Sequence, residues 1–375
     1  MTHTDDVALR VATPDDVKVL NRLIQESARE LSVGFYSAEQ TESAIRWVFG
    51  VDSALVADGS YFVAEIGGAL AGCGGWSRRR TLYGGDQRPV GGPAFLDPAT
   101  DAARVRAFFV APNFVRHGVG TALLDACADA AWHAGFRKLE LMATLPGVPL
   151  YRTRGFEGVE EVSDPLPDGT LLPFVRMTRA LTSPPSGRLR AARGGDADSV
   201  SRLHIASWQS AYRGLLPDSY LDALDPAVRG EEWREIIEGG QASVVLRDVI
   251  GAGVVAFCAV GRSRDEGATD STWEVWNLHA APNARGNGYG AELFEDALRI
   301  ARSAGGTELT LWVARENGAA RRFYERRGMH ADGACTVHVF GGVAELPAAR
   351  YRMAIAGSEQ LVHETMTPQA GGVDA

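Results

Sequence analysis

Two hydrophobic periods alternate along the chain. In the second half, Trp273-Glu274-Val275-Trp276-Asn277-Leu278-His279 reads as a strand, and a glycine-rich turn follows. From Ala291 onward Leu293, Ala297, Ile300, Ala301 and Ala304 recur at helical spacing, and Leu309-Thr310-Leu311-Trp312-Val313 alternates again. The order is strand, turn, helix, strand. The first half repeats it with Val105 to Val110, a helix holding Leu123, Leu124, Cys127 and Ala131, then Leu139-Glu140-Leu141-Met142. Each half therefore predicts an α/β unit.

The likeness of the halves extends to whole-domain duplication. Leu9-Arg10-Val11-Ala12-Thr13-Pro14-Asp15-Asp16 and Leu189-Arg190-Ala191-Ala192 each open a copy with a strand leading into a helical pattern. Ala111-Pro112-Asn113-Phe114-Val115-Arg116-His117-Gly118-Val119-Gly120 and Ala281-Pro282-Asn283-Ala284-Arg285-Gly286-Asn287-Gly288-Tyr289-Gly290 stand 170 positions apart in the middle. Leu172-Pro173 with Arg176-Met177, and Leu346-Pro347 with Arg352-Met353, close the copies. Thr182-Ser183-Pro184-Pro185-Ser186-Gly187 cannot continue a helix or a central strand and reads as a linker. The predicted domains are residues 1–182 and 188–356, joined at 183–187, with a loose polar tail over 357–375.

At 375 residues two domains is the ordinary expectation, and 45% hydrophobic with 23% charged residues is an ordinary globular balance. A formal net charge of -9 argues against nucleic acid as a partner, since phosphate neutralisation needs a concentrated basic surface. Arg78-Arg79-Arg80 reads as a solvated loop. Cys73, Cys127, Cys258 and Cys335 show no metal-ligand or disulfide spacing, which fits a reducing cytoplasm. The polar start and the lack of a long apolar run predict a protein with no secretory signal and no membrane partner.

A turn written Arg285-x-x-Gly288-x-Gly290 between strand and helix suits an anionic ligand. Glycines let backbone approach closely, and the first-turn amides and helix dipole then face a phosphate. Pro282-x-x-Arg285-Gly286-Asn287-Gly288-Tyr289-Gly290, followed by Asn317-x-x-Ala320-x-x-Phe323-Tyr324-x-x-x-Gly328-Met329, closely resembles the acetyl-CoA signature of the GNAT acyltransferase superfamily. Trp208-Gln209-Ser210-Ala211-Tyr212-Arg213-Gly214-Leu215-Leu216-Pro217-Asp218 is similar to a bacterial branch of it, and the resemblance spans roughly 188–355. The first copy is similar to another branch over about 7–180, through Phe108-Phe109-Val110-x-Pro112, Gly118-Val119-Gly120 and Leu150-Tyr151-Arg152-x-x-Gly155-Phe156. It departs at Val115, where the pattern has Arg or Gln.

The resemblance implies two GNAT acyl-CoA N-acyltransferase folds in tandem, each an α/β (mixed α+β) sheet. It implies transfer of acetyl from acetyl-CoA, as substrate and without a metal, to an unidentified primary amine in a ternary complex, by a monomer or homodimer. Coenzyme contacts fall on Leu278, Ala280, Arg285, Gly286, Asn287, Gly288, Tyr289, Gly290 and Asn317. In the first copy they fall on Phe109, Val110, Arg116, His117, Gly118, Val119, Gly120 and Thr121. Acyl transfer to an amine needs a neutral nucleophile, a stabilised oxyanion and a proton for the leaving thiolate. Tyr324, and Tyr151 in the first copy, match the family's general acid, and Glu274 the carboxylate that deprotonates the amine. A packed aromatic, and a strand-end carboxylate, are the plain alternatives, as is a helix cap for Asn317.

Aligning the copies puts Arg104 opposite Glu274, and an arginine is no base at neutral pH. The first copy therefore reads as catalytic through another base, as binding an acidic acceptor, or as regulatory, and the alternative to transfer is an acyl-CoA-sensing protein in which one or both copies bind the coenzyme without chemistry. Its extra segment, Ser77 to Asp101, is either a loop over the pocket or a surface excursion. Tyr212 and Arg213 are acceptor-wall candidates, whereas His117, His204 and His279 read as structural or exposed.

Overall fold

The computed structural model describes residues 7–87, 95–182, 189–342 and 344–355. The predicted linker and tail lie outside these residues. The chain divides into two compact units, with the main break between Arg188 and Leu189.

The first unit opens with β1 (Ala8–Val11) and helices α1 (Val17–Leu31), α2 (Ala38–Trp47) and α3 (Ser53–Ala57). Strands β2 (Tyr61–Ile66), β3 (Ala69–Ser77) and β4 (Ala103–Val110) follow, then α4 (Val119–His133), β5 (Lys138–Thr144), α5 (Val148–Thr153), β6 (Glu157–Pro165) and β7 (Leu171–Ala180). The second unit runs β8 (Leu189–Ala191), α6 (Ala197–Tyr212), α7 (Asp218–Asp222), α8 (Pro226–Glu238), β9 (Ala242–Val249), β10 (Gly253–Arg262) and β11 (Thr272–Ala280). It ends with α9 (Tyr289–Ser303), β12 (Glu308–Ala314), α10 (Gly318–Glu325), β13 (His330–Phe340) and β14 (Ala344–Ala354).

Each unit builds one seven-stranded mixed sheet, ordered β1-β2-β3-β4-β5-β7-β6 in the first and β8-β9-β10-β11-β12-β14-β13 in the second. The two orders are the same order. The entry to each unit is also built alike. Asp16 accepts the Thr13 amide and pairs with Arg10, while Asp196 accepts the Arg193 amide and pairs with Arg190. Those arginines hold both carboxyls below the usual carboxylate range. Each pair fixes the angle at which the first strand turns into its helix.

Helix α1 buries Leu20, Leu23, Ile24 and Ala28, a stripe at helical spacing that packs on the sheet. Burial of each leucine or isoleucine contributes roughly 1.5–3 kcal/mol. Strand β10 is buried from Val255 to Val260, as expected for a strand with helices on both faces.

Two features of the sheet open a site. The parallel pair in each unit is joined over three register positions only, Thr272–Glu274 with Glu308–Thr310 and Ala103–Val105 with Leu139–Leu141. Beyond Glu274 and Val105 the two strands part, leaving a wedge in the sheet. A bulge lies on the same strand beside each wedge, between Val275 and Asn277 and between Arg106 and Phe109, with Ala107 at φ 49. Such irregularities re-aim backbone and side chains toward the gap.

Candidate active site

In the second unit the wedge widens into a cavity of about 950 Å³, walled by β11, β12, α6 and the start of α10. Glu274, Leu278, Ala280, Arg285, Asn317 and Tyr324 all line it.

At its mouth is the glycine turn. Gly286 and Gly288 lie in the left-handed region, at φ 81 and 89, and Gly288 caps α9 without any side-chain cap bond. A Cβ built on Gly286 would meet nothing, so conformation and not crowding calls for glycine there. Arg285 donates to Ser210 Oγ at 3.0 Å and to the Ser207 carbonyl at 3.2 Å, which anchors the turn to α6. Asn287 and Tyr289 are buried, Tyr289 with its ring 4.7 Å from the Arg247 guanidinium. A Cβ on Gly290 would lie 3.4 Å from Phe323, so this glycine lets α10 approach α9.

Glu274 is 2% exposed, and its carboxylate accepts the Arg264 amide at 2.9 Å and the Arg264 Nη2 at 2.6 Å. Tyr324 is buried against Phe294 and Phe323, and burial first, then Cys258, raises its phenol above the ordinary tyrosine range. It stays protonated at physiological pH. Asn317 caps α10 through Oδ1, which accepts the Ala320 amide at 3.0 Å. The cap reading of this residue is realised, and the same side chain also borders the cavity.

Two histidines expected to be structural or exposed belong to this wall. His204 and His279 stand with ring centroids 4.7 Å apart, both bordering the cavity, and His279 Nδ1 is 3.1 Å from Ser207 Oγ. Burial, and secondarily Arg285, lowers His279 to about 4, and burial with His279 lowers His204. Both are neutral at physiological pH. Trp276 and Trp312, which read in the sequence only as strand residues, also border the space, as do His338 and Phe340. Tyr212 lines the cavity as expected, but Arg213 turns outward to Asp218 and Asp222.

The first unit holds the same frame with different contents. Its cavity measures about 50 Å³ and is lined by Phe109, Tyr151 and Thr144 at the matching positions. Register places Phe174 opposite Thr144 where Ala348 stands opposite Ala314, so a phenyl ring fills wall space that is open in the second unit. Tyr83 from the extra segment packs on Phe174 at 5.4 Å, and the Gly85 amide donates to the Val48 carbonyl. Of the two readings of that segment, the pocket reading holds for residues 82–84, which line the cavity. Arg104 pairs with Glu140, which also takes Arg176 at 3.0 Å. Position 104 thus carries a cation neutralised in the wall, with Glu140 in the place of Thr310.

The first unit's turn keeps Gly118 as the left-handed cap at φ 84, while Arg116 adopts φ 70 where the second unit has Gly286. His117 folds back on the Val115 carbonyl at 3.1 Å. Val110 leads into the turn, and Val119, Gly120 and Thr121 form the first turn of α4. A Cβ on Gly120 would come within 2.9 Å of Leu150.

Two copies of one wedge-split sheet, each with a glycine-capped helix at the gap, define a tandem of acyl-CoA N-acyltransferase folds. The chain belongs to the acetyltransferase (GNAT) family, whose model matches residues 20–156 and 205–329. It is 29% identical over 152 residues to a probable N-acetyltransferase of Mycobacterium tuberculosis, covering 40% of this chain and 83% of that one. An uncharacterised N-acetyltransferase of Archaeoglobus fulgidus is 29% identical over 146 residues, 36% of this chain and 88% of its own. Among solved structures, PaiA N-acetyltransferase from Thermoplasma acidophilum in complex with coenzyme A is 16% identical, over 43% of this chain and 96% of that chain, at TM-score 0.32. Ribosomal-protein-alanine N-acetyltransferase from Brucella melitensis is 20% identical over 44% and 99%, at TM-score 0.36. Among the described residues no helix is long and apolar enough to cross a membrane.

Proposed function

We propose that the second unit is an acetyl-CoA-dependent N-acetyltransferase acting on a primary amine, and that the first unit performs no transfer. The observation that carries this is the cavity of about 950 Å³ that brings a buried carboxylate, a buried phenol and Arg285, the first residue of the glycine turn, to one space. The Arg285–Gly290 turn would take the coenzyme's pyrophosphate on its amides, and Leu278, Ala280 and Asn317 would flank its arm.

Glu274 accepts a proton from the incoming ammonium, which frees the nitrogen lone pair. The neutral amine forms the new C–N bond at the thioester carbonyl as the C–S bond breaks. Tyr324 donates its proton to the departing sulfur and is reprotonated by the second proton that the nitrogen sheds. The sum is an alkylammonium and acetyl-CoA giving an N-acetylamine, coenzyme A and one proton.

The first unit supports a different reading. Arg104 replaces the base, Phe174 and Tyr83 occupy the wedge, and Tyr151 is packed between Phe108 and Phe156. Domain limits at 1–182 and 188–356 and a cytoplasmic setting belong to this proposal. The buried free thiols Cys73, Cys127 and Cys258 fit a reducing compartment.

Steady-state kinetics on an amine panel test it. Glu274→Gln and Tyr324→Phe should each lower kcat by about 10²–10⁴-fold, as expected for loss of a general base or acid, while calorimetric acetyl-CoA affinity holds. Transfer that survives both substitutions overturns the assignment.

A further inference from the structure

The connection from β10 to β11 carries Arg264, whose guanidinium carbon lies 4.4 Å from the Trp276 ring centroid. Its Nη2 is 2.6 Å and its Nε 3.4 Å from the two Glu274 oxygens. The Arg264 side chain is 58% exposed and the Glu274 side chain 3%. A solvated cation thus reaches into the cavity and rests between an aromatic face and a buried carboxylate.

That pocket for the cation is rigid. Trp276 Nε1 donates to the Arg262 carbonyl at 3.1 Å, and a Cβ on Gly261 would lie 3.0 Å from the indole, so glycine there admits the ring. Asp265 continues the acidic floor, accepting Trp312 Nε1 at 2.8 Å and Arg350 at 3.0 Å. If the Arg264 side chain swings into solvent, its backbone amide still donates to Glu274 at 2.9 Å, and the carboxylate keeps its aim. What remains is an indole face and an anion spaced to hold one positive charge.

We propose that Arg264 is a resident stand-in for the acceptor's ammonium, and that the acceptor is an alkyl- or arylalkylamine with no carboxylate beside the amine. The inference rests on the acetyltransferase reading of this cavity. The acceptor's ammonium displaces the guanidinium, takes its place over Trp276 and delivers its proton to the carboxylate that Arg264 had covered. An acceptor carboxylate at that point would face the uncovered Glu274 and be repelled, since Asp265 is already neutralised by Arg350. Trp208, Tyr212 and Phe340 offer the rest of the cavity to an apolar body. Arg264 is then a specificity residue that screens what reaches the base.

The test uses the full chain with acetyl-CoA present. Benzyltrimethylammonium, a cation that cannot be acetylated, is titrated calorimetrically into wild type, Arg264→Met, Arg264→Lys, Trp276→Leu and the Arg264→Met/Trp276→Leu pair. If the guanidinium covers the site in about nine molecules of ten, Arg264→Met binds the probe about tenfold tighter. Arg264→Lys restores the wild-type affinity, and Trp276→Leu removes the gain. With phenethylamine as acceptor the same gain appears in KM and not in kcat. Cation affinity that is unchanged or weaker in Arg264→Met overturns the proposal. So does a KM that rises in that variant for phenylalanine alone, which would make Arg264 a carboxylate ligand. Tighter cation binding with no acetyl transfer by any variant would leave the cation site standing and overturn the acetyltransferase reading instead.

Discussion

At the residue scale, position along one strand decides which charge the wedge can hold. Glu274 and Arg104 occupy matching positions, and each is neutralised by a partner from a different element, Arg264 in one case and Glu140 in the other. The neighbouring histidines add a pH dependence whose sign can be worked out. His279 is held down to about 4 by burial and then by Arg285, with His204 beside it shifted the same way. Between about 6.5 and 4 the unfolded imidazole takes a proton that the folded one refuses. Stability therefore rises with pH across that window and is lost as pH falls through it. Urea unfolding of the second unit at pH 7 and pH 5 should show His279→Gln losing less stability than wild type over that drop, by about 1–2 kcal/mol. Equal losses in the two proteins would mean that His279 is not the residue that resists protonation.

At the scale of elements, two helix starts with one geometry differ in a residue that makes it costly. The turn before α9 takes its left-handed step at Gly286 and the turn before α4 takes it at the exposed Arg116. A residue with a Cβ in that region carries about 1–2 kcal/mol of strain. Arg116→Gly should raise the stability of the first unit by about 0.5–1 kcal/mol after the added freedom of the unfolded chain is subtracted. Gly288→Ala should instead lower stability by about 1 kcal/mol and weaken acetyl-CoA binding, since it strains the cap whose amides face the ligand. Thermal melts and coenzyme titrations of both variants check the pair. These turns were legible in the sequence because a glycine between a strand period and a helix period is a local signal. The strand read from Trp273 to His279 appears as Thr272–Ala280, and the helix read from Ala291 as Tyr289–Ser303. His204 was not legible as a wall residue, because it stands in the stripe of Val200, Leu203 and Ser207 and so reads as core. Arg264 belongs to a loop, and only the fold brings its guanidinium onto Trp276 and Glu274. The filled wedge of the first unit depends on which residue of β7 faces Thr144, a register that no local pattern reports.

At the scale of the whole chain, one architecture is present twice with identical strand order and the same arginine–aspartate entry, yet the gaps measure about 950 and 50 Å³. A coenzyme arm needs the gap, whereas a pyrophosphate needs only the turn. A turn without a gap binds few of the ligand's atoms, so affinity at the first unit should fall well below that at the second. Calorimetric titration of the intact chain with acetyl-CoA should accordingly give one site. A Gly288→Glu variant, which sets a carboxylate on the helix cap where the pyrophosphate would lie, should give none. Two sites falling to one would show that the first unit admits the coenzyme despite Phe174 and Tyr83. The complementary variant, Tyr83→Ala with Phe174→Ala, removes both rings from the first wedge. It should destabilise that unit by at least about 3–5 kcal/mol, the usual cost of emptying the buried Phe174 position alone. If the rings alone hold the arm out, a second site appears in this variant. If the stoichiometry stays at one, the strained Arg116 turn and the missing anchor at Val115 bar the coenzyme as well.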